Sequence, residues 1–121
     1  MALPAVSSFE DCASWAKTVA PYIPQLYALP RQLLQAGTNT QELKSLYIAT
    51  NPLISGAAFS LLLSPIFWLA SVINRNYSQV DRFWSILPTF YLAHYVTYAH
   101  LVGLDTERLD SMLVVYVIWS V

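Results

Sequence analysis

Apolar and polar positions fall into long blocks along this chain. Pro52 to Ile73 and Phe83 to Leu104 are two runs of 22 residues without a charge. As helices, at 1.5 Å per residue, each reaches roughly 33 Å, enough to cross a hydrocarbon core of about 30 Å. Asn51-Pro52 marks the start of the first, since Asn is a favoured N-cap and proline suits the first helical position. Polar stretches at 74–82 and 105–110 separate the apolar runs, so the two spans are expected to be antiparallel neighbours. Residues 112–121 are apolar again but reach only about 15 Å as helix. A chain end inside hydrocarbon leaves a carboxylate and carbonyls unpaired. The segment therefore lies flat at an interface or is cut short, and the second is expected. The pattern predicts an all-α integral membrane protein. It has two clear transmembrane helices (about 52–73 and 83–104) and a truncated third (112–121).

Residues 1–50 read as a mixed, short-helix or interfacial region before the transmembrane region 51–121. Ser8 can cap a short helix with Asp11 at its third position, placing Phe9, Cys12, Ala13, Ala16 and Val19 on one face. Pro21 ends that helix, and Pro21, Pro24 and Pro30 are expected to break Tyr22 to Leu34 into short pieces.

Composition agrees with the blocks. The chain has 121 residues, 56% hydrophobic and 11% charged, against about 25% charged in soluble domains. The formal net charge is −1, and Lys17, Arg31, Lys44, Arg75, Arg82 and Arg108 are scattered. No basic stripe tracks phosphates, so no nucleic-acid partner is expected. Cys12 is the one cysteine, which excludes an internal disulfide and a multi-cysteine metal site. The first residues lack a signal-peptide pattern, so a transmembrane helix must itself direct insertion. Lys and Arg are nearly balanced on the two sides of the spans and leave orientation open.

Candidate chemistry is sparse. Gly37, Gly56 and Gly103 form no phosphate-cradling loop, and there is no serine elbow or His-Glu-x-x-His. Gly56, Ser60 and Ser64 recur every four residues. This is either a small-residue stripe that admits a second helix or chance spacing in a Ser-rich helix. Tyr91, His94 and Tyr98 share a stripe on the second run. It can be one polar wall of a ligand pocket, or His94 can be a neutral, hydrogen-bonded residue that holds helices together. His94 and His100 lie on different faces and cannot share a metal; no metal site is expected. His100 is expected at an interface. Asn76-Tyr77-Ser78 is formally a glycosylation site but lies too close to both spans for modification.

The densest pattern runs from Asn76 to Pro88. Ser78 with Asp81 can start a helix, Asp81 favours the positive end of its dipole, Arg82 and Trp84 suit the water boundary, and Pro88 can kink the first turns. The same positions, Asn-x-Ser-x-Val-Asp-x-x-Trp-Ser-x-x-Pro, resemble the opening of a polytopic membrane family of unknown function related to steroid 5-alpha-reductases. The resemblance covers about Pro52 to Val121 and matches Asn76, Ser78, Asp81, Arg82 and Trp84 as family-motif residues without assigned roles. It implies that intact relatives are NADPH-dependent reductases of a lipid or sterol enone. The cofactor-binding segment of those reductases lies beyond the resemblance, so no cofactor is expected to be bound by this chain and no catalytic residue is assigned.

The expected function is thus that of the N-terminal part of a multi-pass, reductase-like membrane protein, inactive alone. It would sit in a lipid bilayer, with the endoplasmic reticulum as the expected organelle. The alternative is a small non-enzymatic membrane protein that packs against other transmembrane helices in a larger assembly.

Overall fold

A computed structural model describes residues 3–78, 83 and 86–120. All regular elements among them are helical. The described residues group into two compact units, Met1–Ser55 and Gly56–Val121.

In the first unit, α1 (Phe9–Ala13) starts where Ser8 predicts, with the Asp11 N–H donating to Ser8 Oγ at 3.2 Å. The Asp11 carboxylate also accepts from Lys17 Nζ and from the Ser7 N–H and hydroxyl. The Lys17 ammonium, seconded by Ser7, pulls its pKa from 3.8 down to about 2. The expected single helix to Val19 does not form. Ser14 is extended (φ −83, ψ 111) and separates α1 from α2 (Trp15–Thr18), which a 3-10 turn, Ala20–Tyr22, follows. Phe9 on the predicted apolar face is exposed.

The prolines act differently from the sequence expectation. α3 (Ile23–Ala36) is one helix of 14 residues. Pro24 sits in its first turn, where the missing N–H has no intrahelical partner to lose. Pro30 lies inside the helix and costs a bond to the Leu26 carbonyl without ending it. Leu29 and Ala36 are its buried residues. Asn39 caps α4 (Thr40–Ala49): its Oδ1 accepts from the Gln41 and Glu42 N–H groups, and its Nδ2 donates to Glu42 Oε1 at 3.2 Å. Asn51 then opens α5 (Pro52–Ile73), accepting the Leu53 N–H at 2.9 Å. Its own N–H donates to Gln25 Oε1 at 2.8 Å, which ties this start to α3.

In the second unit, α5 runs to Ile73 through Pro65. It ends in a Schellman motif: the Asn76 N–H donates to the Ser71 carbonyl and the Arg75 N–H to that of Val72. Arg75 takes the left-handed position at φ 49. α6 (Leu87–Val102) and α7 (Glu107–Ser120) follow, joined by Thr89 Oγ1 donating to the Tyr116 carbonyl at 3.1 Å.

The expected pair of spans with a truncated third is corrected here. Among the described residues only Pro52–Ile73 is a helix long and apolar enough to cross a membrane. α6 has 16 residues, roughly 24 Å. Pro88 occupies its first turn, and Gly103 at φ 76 closes it, with the Leu104 N–H donating to the Ala99 carbonyl. The third apolar stretch belongs to a 14-residue helix whose first turn carries Glu107 and Asp110. Absence of charge over 22 residues was the sequence criterion for a span, and it does not register where a helix is capped.

Candidate functional site

The site lies where α5 meets α6. α5 turns its small residues toward α6, and Gly56 is buried. A Cβ placed there would stand 3.6 Å from the Tyr95 hydroxyl and 3.8 Å from the His94 ring. One turn on, Ser60 Oγ lies 3.1 Å from the Gly56 carbonyl and 2.8 Å from the Tyr91 hydroxyl, where either hydroxyl can donate. Phe59 packs edge-on against the Tyr91 ring at 6.0 Å between centroids. Ser64 Oγ donates back to the Ser60 carbonyl at 2.9 Å.

Beside this contact is a recess of about 430 Å³ lined by Ser60, Leu63, Ser64, Phe67, Trp68, Ser71, Tyr77, Leu87 and Tyr91. Its walls are aliphatic and aromatic, its polar side-chain groups are hydroxyls and the Trp68 indole N–H, and among the described residues no charged side chain lines it. That is the composition of a site for a neutral, mostly apolar molecule.

The structure brings together most of the polar stripe singled out in the sequence. Tyr91 and His94 meet α5 at Ser60 and Gly56, and Tyr98 is buried at 3% exposure. Of the small-residue stripe, Gly56 and Ser60 lie against α6, while Ser64 faces the recess. Sequence reasoning missed Tyr95 and Phe59; both are one position from a residue on the stripe, and only the crossing of the helices shows that they belong. His100 is apart from the site. Its Nε2 lies 3.0 Å from Asp110 Oδ1, and Thr106 Oγ1 donates to Asp110 Oδ2 at 2.7 Å. Thr106 first, then His100, holds the Asp110 carboxyl below its ordinary pKa.

The family-motif positions divide. Asn76 Oδ1 accepts from both the N–H and the hydroxyl of Ser78, at 3.0 and 2.7 Å, so these two close a local turn. Asp81, Arg82 and Trp84 lie outside the described residues. Among the described residues no group of three or more His, Cys, Asp or Glu could hold a metal. The recess lining offers no cation, among the described residues, for the phosphates of a dinucleotide.

No protein-family model matches the chain, and no solved structure matches it. An uncharacterised protein of the fission yeast Schizosaccharomyces pombe is 36% identical over 118 residues. The match covers 98% of this chain and 33% of the yeast protein. The chain thus spans about a third of the relative's length, and the similarity extends through residues 1–50 as well as the helices that form the site.

Proposed function

We propose that this chain is the membrane-embedded, neutral-lipid-facing part of a reductase-like protein and is inactive by itself. One observation carries the reading. α5 has a mean hydropathy of 1.9 over its most apolar window, and only 11% of that window is buried. Leu61, Leu62, Ile66, Trp68, Leu69 and Ile73 are all exposed along it. An apolar surface of this size in water costs about 25 cal/mol per Å², whereas hydrocarbon or further apolar helices remove the cost.

The Asn76 to Pro88 resemblance to relatives of steroid 5-alpha-reductases supports the reductase half, with a lipid or sterol-like double bond as substrate class and the endoplasmic reticulum as site. The absence of a cation among the described lining residues supports assigning lipid contact to this part and nucleotide contact to other parts of a longer protein. The test is a chimera in which this chain replaces the matching third of the yeast relative. NADPH-dependent reduction of an unsaturated lipid by relative and chimera, with none by the 121-residue chain alone, is the expected result. No reduction of sterol or acyl enones by the intact relative sinks the reductase half.

A second reading has its own support. Val114, Val115, Ile118 and Trp119 leave α7 with an exposed apolar face, which suits a non-enzymatic protein packed into a larger membrane assembly. A stable complex recovered in mild detergent, together with an inactive chimera, favours that reading.

A further inference from the structure

We infer that the recess between α5 and α6 is a binding site for a neutral lipid alcohol, and that the Tyr91–Ser60 hydroxyl pair selects the alcohol over a carbonyl. The inference rests on the membrane placement of α5 proposed above and is independent of any reductase activity.

The selection follows from counting protons. Two hydroxyls bring two protons. Ser60 Oγ is within reach of the Gly56 carbonyl at 3.1 Å and of Tyr91 Oη at 2.8 Å. When Ser60 donates to Gly56, Tyr91 donates to Ser60, and both protons are used inside the protein. Tyr91 Oη is then left as an acceptor. A ligand hydroxyl donates to it and adds one hydrogen bond, and the three aligned hydroxyls reinforce one another. A ketone or ether can only accept. To serve it, Tyr91 must turn its proton outward, giving up the bond to Ser60 while Ser60 keeps the Gly56 carbonyl. One bond is made and one is lost. The alcohol therefore leads by about one net hydrogen bond, about fivefold in affinity.

The rest of the ligand is set by the walls. Leu63, Phe67 and Leu87 offer only apolar surface, Trp68 adds a ring with one N–H donor, and among the described residues no charged side chain lines the recess to pair with an ionised headgroup. From Ser60 to Ser71 the recess follows α5 for roughly 16 Å, and about 430 Å³ accommodates a molecule of lipid size. An enone carbonyl is the group the Tyr91–Ser60 pair disfavours. If the protein reduces a double bond, the lipid held here is anchored by an alcohol end.

The test uses the whole chain in lipid nanodiscs with a diazirine-bearing cholesterol. Labelled residues are mapped by peptide mass spectrometry. Unlabelled cholesterol, its methyl ether and its 3-ketone compete, as does dioleoylglycerol beside its own methyl ether. Saturable labelling within Ser60–Ser71 or Leu87–Tyr91 is expected, with an alcohol competing about fivefold better than its ether or ketone. Whichever alcohol competes identifies the skeleton. Tyr91→Phe combined with Ser60→Ala removes the hydroxyl pair and should erase that preference. Ser60→Ala, on the other helix, frees the Tyr91 proton and should raise ketone competition to that of the alcohol. Leu63→Trp should fill the recess and abolish labelling. Equal competition by alcohol, ether and ketone in the parent chain overturns the proposal, as does unsaturable labelling spread over Leu61, Leu62 and Ile66. Carbonate extraction of the same preparation reports the membrane placement separately. A chain released by carbonate refutes that placement, whereas a retained chain with no recess labelling refutes only the site.

Discussion

Residues 52–73 and 83–104 are each 22 uncharged residues, yet the first is one helix from end to end and the second holds a helix of 16 residues. Both helices have a proline in the first turn, Pro52 and Pro88, and both end in the same capping motif. The difference lies in where in each run that proline falls, at its first residue or five residues in. Pro65 is deep inside α5, where the helix continues through it. Among the described residues only α5 is then long enough to cross a bilayer, and α6 lends its tyrosines and His94 to α5 from one side. Apolar length in a sequence and helical length in the fold are separate quantities, and capping residues set the second.

The largest test places a charge on each run. Leu62→Arg puts a guanidinium on the exposed face of α5 and should cost about 3 kcal/mol of insertion free energy, roughly a hundredfold. Phe90→Arg, at an exposed position on α6, should change insertion by less than about 0.5 kcal/mol. A glycosylation-tag insertion assay reads both. Equal losses would show that α6 shares the hydrocarbon with α5, and the comparison would collapse.

The prolines provide a smaller effect. Pro65→Ala restores the donor to the Leu61 carbonyl and should stabilise the chain. The gain should fall short of the ~3 kcal/mol of a rigid helix interior, because a kinked helix has already relaxed. Pro88→Ala should be within about 0.5 kcal/mol of neutral, since a first-turn N–H has no intrahelical acceptor. Denaturation in mild detergent, followed by helical circular dichroism, ranks the two. A larger loss for Pro88→Ala would mean that the proline sets more than the start of α6.

Much of this was legible locally and little of it globally. Asn51-Pro52 announced the start of α5, and Ser8 that of α1, because capping is a matter of a few adjacent atoms. Pro30 misled, since the cost of one lost bond does not outweigh the remaining bonds of a 14-residue helix. The break at Ser14 has no sequence signal beyond a serine that suits a helix start. At the site, Ser60 and Tyr91 each stood out on their own helix, but their 2.8 Å contact depends on how α5 and α6 cross. Periodicity on a single helix carries no information about that crossing. Ser78 was expected to cap a helix; its hydroxyl donates to Asn76, and the residues it would cap lie outside the described ones.

The two capping motifs sharpen the comparison by about 1 kcal/mol each. Gly103 holds the left-handed position that closes α6 at no steric cost, and Arg75 holds the equivalent position after α5 at φ 49. Gly103→Ala should destabilise by about 1 kcal/mol, and Arg75→Gly should stabilise by up to about 1 kcal/mol. Melting temperatures in the same detergent should move in opposite directions. A fall for both would mean that the Arg75 side chain contributes contacts that outweigh its backbone strain.

The smallest effect asks whether the far end of α6 lies in water. Asp110 accepts from Thr106 and faces His100 at that end, and these contacts lower its carboxyl pKa. A carboxyl whose folded pKa is depressed adds stability that is fully present above its unfolded value. That stability fades as pH falls through the folded value. The window therefore opens below the ordinary 3.8, and salt should narrow it because the pair is exposed. Were this end of α6 buried in lipid, desolvation would dominate and push the pKa up instead. Carboxyl carbon shifts of Asp110 followed by NMR across acid pH decide between the two. A midpoint below 3.8 is expected, moving upward in Thr106→Val and, by less, in His100→Gln, in the order of the two contributions. A midpoint above the ordinary value would place this end of α6 in hydrocarbon and remove the distinction between the two runs.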